Sequence, residues 1–123
     1  MNADLVHELW RLFEARDWDA AEALLAPDFV CEWPHSGERM RGAASFVAVN
    51  REYPEGWSIR VRWVIAQGDQ VVSEVDVVHG EKTFHAASFF TVAGGKLARA
   101  TEYWVEAGHE APPAWRARWT ERM

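Results

Sequence analysis

Four consecutive segments in the second half of the chain alternate between apolar and polar positions as β-strands do. They cover residues 57–67, 70–79, 82–93 and 96–106, and they are rich in Val, Ile, Phe, Tyr, Trp and Thr. Gly68-Asp69, Gly80-Glu81 and Gly94-Gly95 separate them and suit tight hairpin turns. The pattern predicts an antiparallel meander of long strands, which twist and curl into a sheet with one concave face.

The start of the chain has the helical period instead. One apolar face recurs between about Ala3 and Ala15, and it consists of Leu5, Val6, Leu9, Trp10, Leu12 and Phe13. Asp17 suits the N-cap of a second, shorter helix that Pro27 breaks. Its apolar residues are Trp18, Ala21, Leu24 and Leu25. The sequence therefore begins with two helices, the first of which is amphipathic.

The remaining elements complete the predicted fold class. Residues 29–33 predict a short strand, residues 35–38 a turn and residues 42–53 a third helix. Helices that precede a meander indicate an α+β domain, in which the three N-terminal helices pack on the concave face of a curved antiparallel sheet. Such a cone encloses a pocket.

The segment that follows the meander is predicted to be separate from the cone. We assign the cone domain to residues 1–107 and a C-terminal tail to residues 108–123. Trp115 and Trp119 lie one helical turn apart among arginines, which predicts a short amphipathic helix. Two roles stay open for the tail. Either the indole rings pack against the domain or a partner subunit, or the tail forms a lid over the mouth of the pocket.

Composition narrows the classes of function. Eight tryptophans in 123 residues indicate a core or cavity with aromatic walls. The net charge of −6 argues against binding of nucleic acid or of an anionic membrane. A single cysteine, Cys31, allows no internal disulfide, and no N-terminal apolar run resembles a signal peptide, so we expect a cytoplasmic protein. The five histidines lack the spacing of a metal site, and no metal or organic cofactor is expected.

Three stretches carry a resemblance to a known family. They read RDWDAAEALLAPDFV, SEVDVV and GGKLARATEYW. Together with the order of elements they resemble the nuclear transport factor 2-like superfamily, particularly its SnoaL-like branch. The superfamily includes ketosteroid isomerases, polyketide cyclases, limonene-epoxide hydrolases and dehydratases as well as non-catalytic binding modules. The resemblance also implies a homodimer that forms through the convex face of the sheet, with contributions from Leu97, Tyr103, His85 and Phe89.

The resemblance implies a set of site residues. Similarity to the epoxide hydrolases gives Glu102 the position of a catalytic carboxylate. Asp76 takes the place of a second catalytic acid, and Glu74 stands where those enzymes have an arginine. The implied pocket residues are Glu32, Trp10, Phe13, Trp33, Phe84, Phe90 and Trp104. Carboxylates on one apolar wall cannot all ionise, so that one would serve as acid and its neighbour as base.

Two classes of function follow. The first is a cofactor-free acid-base enzyme, an isomerase, cyclase, hydratase or hydrolase that acts on a hydrophobic small molecule through Glu102 and Asp76. The second is a ligand-binding or dimerisation module without turnover. The sequence leaves open which sheet face is concave, and acids on strands also lie on solvated faces. Catalysis of the first kind requires that the two carboxylates converge on one bound atom.

Overall fold

The computed structural model describes residues 1–123, which form three α-helices, six strands and a short 3-10 helix. In chain order the elements are α1 (Asn2–Ala15), α2 (Trp18–Ala23), β1 (Leu25–Trp33), β2 (Glu38–Arg41), α3 (Ala43–Glu52), β3 (Trp57–Gln67), β4 (Gln70–His79), β5 (Lys82–Ala93), β6 (Lys96–Glu106) and the 3-10 helix (Ala114–Trp119). The predicted α+β class, with N-terminal helices and a curved sheet, is confirmed.

All six strands belong to one sheet, in the order β2-β1-β6-β5-β4-β3. Strands β3 to β6 form the predicted antiparallel meander. Strand β1 pairs with β6 in parallel, with Cys31 opposite Ala100, and β2 pairs with β1 in the antiparallel direction. The predicted antiparallel sheet therefore contains one parallel pair of strands. Strand β6 is the last strand of the meander. Its pairing with β1 therefore connects the first half of the chain to the sheet.

Two local predictions are wrong. The second helix ends at Ala23, and Leu25 already belongs to β1, because the amide of Leu97 donates to the carbonyl oxygen of Leu24 at 2.9 Å. A shift in register between Leu25 and Val30 accommodates Pro27, which lies between them. The turn predicted up to residue 38 is shorter, since residues 38–41 pair with β1 as β2.

The concave face of the sheet is the face that the helices cover. On β4 it carries Val71, Ser73, Val75 and Val77, all of which are buried. Phe46 of α3 packs against Phe13 of α1 at 5.8 Å and against Phe29 of β1 at 4.9 Å between ring centroids. This aromatic cluster joins the helices to the sheet and fixes which face is inside.

Arg16 connects the end of α1 to the start of β3. Its backbone has a left-handed conformation with φ of 61°, which costs a non-glycine residue about 1–2 kcal/mol. The guanidinium carbon lies 3.4 Å from the centre of the Trp57 ring, and the same group donates to the Trp57 carbonyl oxygen at 2.6 Å and to Glu55 at 3.0 Å. These contacts offset the cost and hold Trp57 in place.

The C-terminal tail forms the predicted short helix as a 3-10 helix. Its two indole rings are exposed, at 73% for Trp115 and 70% for Trp119. The Arg118 guanidinium lies 4.6 Å from the ring centre of Trp119. The predicted packing of both rings against the chain's own domain is therefore wrong, and packing against a partner subunit stays a prediction. No helix of this chain is long and apolar enough to cross a membrane.

Adjacent phenylalanines on β5 test the assignment of the two faces. Phe90 is fully buried on the concave face, whereas Phe89 is 46% exposed on the convex face. We expect Phe90→Ala to lower the free energy of unfolding by about 3–5 kcal/mol, because it leaves a cavity in the core. Phe89→Ala should change it by less than about 1 kcal/mol. Urea denaturation measures both, and equal losses would contradict this assignment.

Candidate functional site

An aromatic cavity of about 340 Å³ lies between the concave face of the sheet and the helices α1 and α3. It is lined by Trp10, Trp33, His35, Val49, Asn50, Tyr53, Trp57, Ile59, Val77, Phe84 and Trp104. The lining residues of β1, β4 and β6 come from the ends of these strands, and those of β3 and β5 from their starts. The cavity therefore occupies one end of the cone. Its volume is near the lower end of the range of about 300–1,000 Å³ that is usual for ligand sites.

A larger groove has a different character. It has a volume of about 680 Å³, lies between α1 and β3 and is more open to solvent. Charged side chains of α1 line much of it, among them Asp4, Glu8, Arg11 and Glu14. A hydrophobic ligand would lose less contact with water there than in the aromatic cavity, so the aromatic cavity is the stronger candidate site.

Glu102 lies directly behind the aromatic wall of the cavity. Its side chain accepts hydrogen bonds from Trp33 Nε1 at 3.1 Å, from Trp104 Nε1 at 3.4 Å and from Ser88 Oγ at 2.7 Å. Cys31 Sγ is 3.6 Å from the same carboxylate. Glu102 is only 2% exposed, so these donors replace water around a buried charge. They also hold the indole rings of Trp33 and Trp104 in the cavity wall.

Strand register brings these groups together. Ser88 is directly opposite Glu102 across β5 and β6, and Trp104 follows two residues later on the same face. On the other side of β6, the parallel pairing of Glu32 with Thr101 places the next residue, Trp33, beside Glu102. Burial, and secondly the nearby negative charge of Glu102, raise the pKa of the Cys31 thiol. The thiol therefore stays protonated at neutral pH and can donate.

Asp76 and Glu74 do not join Glu102, and the predicted convergence of these carboxylates is wrong. Ser88 pairs with Ser73 on β4, so Ser73 shares the concave face with Glu102, whereas its neighbours Glu74 and Asp76 alternate to the convex face. Trp10 Nε1 donates to Ser73 Oγ at 3.1 Å on the concave side. The carboxylates are separated by the thickness of the sheet.

Asp76 instead forms a cluster of ion pairs on the convex face. His85 Nδ1 lies 2.7 Å from its carboxylate, and the guanidinium groups of Arg62 and Arg60 lie at 2.9 Å and 3.0 Å. Burial opposes ionisation of Asp76, but the hydrogen bonds from His85, Arg62 and Arg60 outweigh it and lower its pKa to about 2. Glu74 accepts a hydrogen bond from Trp63 Nε1 at 2.9 Å. Both acids are therefore committed to structural contacts.

Four of the seven predicted pocket residues line the cavity, and three do not. Trp10, Trp33, Phe84 and Trp104 are the four. Glu32 lies on the convex face, where Arg39 at 2.6 Å and Arg99 at 3.5 Å pair with it. Phe13 and Phe90 are buried in the hydrophobic core outside the lining.

Seven lining residues are absent from the predicted set. They are His35, Val49, Asn50, Tyr53, Trp57, Ile59 and Val77. Asn50 and Tyr53 share one side of the predicted third helix with Phe46, and this spacing could have indicated them. No group of three or more His, Cys, Asp or Glu side chains is placed to hold a metal ion.

Comparison with known families identifies the family of the chain. Residues 6–100 match the profile of the SnoaL-like domain. The chain belongs to the SnoaL-like domain family. Among solved structures, this SnoaL-like protein is similar to a ketosteroid isomerase-like protein from Kribbella flavida, with 31% identity and a TM-score of 0.89 over 99% of this chain and 89% of that one. No curated protein matches the sequence significantly.

Other solved structures share the fold of the SnoaL-like protein at lower identity. A nuclear transport factor 2-like protein of unknown function from Burkholderia xenovorans is 23% identical, with a TM-score of 0.80 over 99% of this chain and 94% of that one. An LEH-like epoxide hydrolase from M. tuberculosis is 21% identical, with a TM-score of 0.71 over 85% of this chain and 82% of that one. These likenesses show the fold alone.

The convex face of the SnoaL-like protein retains exposed apolar side chains. Trp63, Ile65, Phe89, Tyr103 and Val105 are each more than 40% exposed. Leu97, which was predicted to contribute to a dimer through this face, is fully buried in the core, so that part of the prediction is wrong. The homodimer itself stays a prediction.

Asp76→Asn tests the ion-pair cluster through pH. Because its pKa is about 2 against 3.8 for a free side chain, Asp76 stabilises the folded state fully above about pH 4, and this contribution is lost as pH falls toward 2. The shift corresponds to at most about 2.5 kcal/mol, and solvent around the exposed arginines reduces it toward about 1 kcal/mol. Urea denaturation of both proteins should give free energies that differ at pH 5 and converge near pH 2. A difference that persists at pH 2 would contradict this role.

Proposed function

We propose that this SnoaL-like protein binds a hydrophobic, uncharged small molecule in the aromatic cavity. One observation supports this most strongly: four of the eight tryptophans line a single cavity, and buried hydrogen-bond partners hold three of them. The indole N–H group of Trp10 donates a hydrogen bond to Ser73, and those of Trp33 and Trp104 donate to Glu102. Aromatic side chains fixed in this way offer contact area at a small cost in side-chain entropy.

The chemistry of the lining favours an uncharged ligand. None of its eleven residues is Asp, Glu, Lys or Arg. A charged group in this cavity would lose its hydration without gaining a partner of opposite charge. Burial of apolar ligand surface contributes about 25 cal/mol per Å², which supplies the free energy of binding in a site of this kind.

Adjacent valines on β4 provide a test. Val77 lines the cavity, whereas Val78 lies on the convex face and is 47% exposed. Naphthalene should shift the indole N–H resonances of Trp10, Trp33, Trp57 and Trp104 in proton-nitrogen correlation spectra. It should leave the exposed Trp115 and Trp119 unchanged. We expect Val77→Phe to fill the cavity and weaken binding at least tenfold, because overpacking leaves no room for the ligand.

The matched control is Val78→Phe, which should bind naphthalene with unchanged affinity. Binding that is equal in both variants would place the ligand outside the cavity. Absence of any shift in the wild-type protein with naphthalene, and with larger aromatic hydrocarbons, would contradict the proposed function.

A second candidate function is acid-base catalysis by Glu102 alone, in a cofactor-free isomerase or hydrolase. It is favoured by the position of Glu102 as the one buried carboxylate on the concave face, directly behind the cavity wall. A similar protein at 31% identity is ketosteroid isomerase-like. Of the two indole hydrogen bonds to Glu102, the one from Trp104 is longer, at 3.4 Å against 3.1 Å from Trp33. A ligand could displace the Trp104 donor and reach the carboxylate. Such a proton transfer contributes about 10²–10⁴ in rate.

Proton exchange separates this candidate from binding alone. We expect the protein to accelerate exchange of the α-protons of 2-tetralone in deuterated water, followed by proton NMR. Glu102→Gln should lower the rate at least 100-fold because it removes the base. Glu74→Gln, on the opposite face, should leave it unchanged. If the wild-type protein accelerates exchange neither of 2-tetralone nor of larger cyclic ketones, acid-base catalysis by Glu102 is wrong. Binding without turnover then remains as the function.

A further inference from the structure

A series of hydrogen bonds at the end of β4 includes a residue of the cavity lining. The hydroxyl group of Tyr53, which lines the cavity, lies 3.1 Å from Nδ1 of His79. Nε2 of the same ring lies 3.0 Å from the carbonyl oxygen of Glu55. Tyr53 therefore connects the cavity to His79, and neither ligand binding by the tryptophans nor catalysis by Glu102 involves it.

The carbonyl oxygen at the end of this series fixes the direction of the hydrogen bonds. A carbonyl oxygen can only accept, so Nε2 of His79 carries a proton and donates to Glu55. In the neutral ring, Nδ1 is then an acceptor, and the Tyr53 hydroxyl must donate to it. Once its hydrogen is committed, the hydroxyl can offer a ligand only its oxygen lone pairs.

The loop between α3 and β3 holds the imidazole ring in this orientation. Gly56 has φ of 112°, and a Cβ atom built there would lie 3.3 Å from both Cδ2 and Nε2 of His79. The absence of a side chain at Gly56 therefore allows the ring to lie against the loop. The Tyr53 ring packs in an edge-on arrangement with the imidazole ring of His79, with 5.3 Å between the two ring centroids.

Asn50 adds a second acceptor to the same part of the lining. It precedes Tyr53 by three residues and therefore lies on the same side at the end of α3. Its side-chain nitrogen donates to the carbonyl oxygen of Phe46 at 2.9 Å. The amide oxygen, Oδ1, makes no hydrogen bond within the chain and remains available as an acceptor.

We propose that Tyr53 and Asn50 form an acceptor subsite which selects ligands that carry a hydroxyl group, such as phenols and alcohols with an otherwise apolar body. His79 acts as a positioning residue, because it keeps the hydrogen of Tyr53 turned away from the ligand. This inference rests on the proposed function, since it names the class of ligand for the same cavity. A hydroxyl group donates to the subsite, whereas an ether or a ketone of similar shape cannot donate.

The experiment compares 2-naphthol with 2-methoxynaphthalene by titration of the tryptophan indole resonances. We expect the wild-type protein to bind 2-naphthol about fivefold more tightly, as one hydrogen bond of ordinary strength would give. Tyr53→Phe should reduce this ratio toward the value that the size of the methyl group alone causes. Tyr103→Phe is the matched control, because Tyr103 is the one other tyrosine, has a similar exposure of 44% and lies on the convex face.

His79→Ala tests the direction of the hydrogen bonds. Without the imidazole, the hydrogen of Tyr53 is free to donate, so 2-acetylnaphthalene, which carries only an acceptor, should bind at least threefold more tightly than it does to the wild-type protein. An unchanged affinity would overturn the role of His79 in positioning the hydroxyl group.

Naphthalene separates this inference from the proposed function. If naphthalene binds but the preference for 2-naphthol is the same in wild type and Tyr53→Phe, the acceptor subsite is wrong and the cavity still binds apolar ligands. If neither naphthalene nor its derivatives bind, the proposed function fails and the inference fails with it.

Discussion

The pairing of β6 with β1 on one side and β5 on the other is the constraint on which the site depends. These two pairings set the faces of three strands at once, because side chains alternate with a period of two. A slip of one residue along β6 would move Glu102 to the convex face and bring Thr101 or Tyr103 inside. Ser88, Trp33 and Trp104 would then lose their common acceptor.

Burial of Glu102 in this position is costly unless every donor is supplied by the fold. An isolated carboxylate in an apolar interior loses several kcal/mol of hydration. Here a hydroxyl, two indole N–H groups and a thiol surround it, and each comes from a different point of the sheet. The same contacts orient the cavity wall, so stability of the core and shape of the cavity are set by one network. Replacement of a single donor would disturb both.

The bounds of the four meander strands followed from the sequence, because a glycine begins each turn between the long strand segments. The parallel pairing of β1 with β6 did not, since a short strand does not specify its partner in its own residues. The sequence also did not indicate which face of the sheet is concave. On β4, valines occupy both faces, and only the helices, packed through Phe46 and its neighbours, decide that Ser73 is inside and Asp76 outside. The ion pairs of Asp76 with Arg60 and Arg62 form because Asp76 lies on the convex face.

Two groups of polar side chains around the cavity differ in which atoms they leave free, and this difference bears on what the protein can do. Behind the Trp33 and Trp104 wall, Oε1 of Glu102 accepts three hydrogen bonds from the fold and Oε2 accepts one, and the two indole rings separate the carboxylate from the cavity. Around Tyr53 and Asn50, two oxygen acceptors remain unused, whereas the Tyr53 hydroxyl hydrogen is committed to His79 and one N–H of Asn50 to Phe46. Recognition of a ligand is therefore easier at the second group, and chemistry at the first requires movement of an indole ring. A binding site with one selective end needs no such movement, which makes binding the simpler use of this cavity.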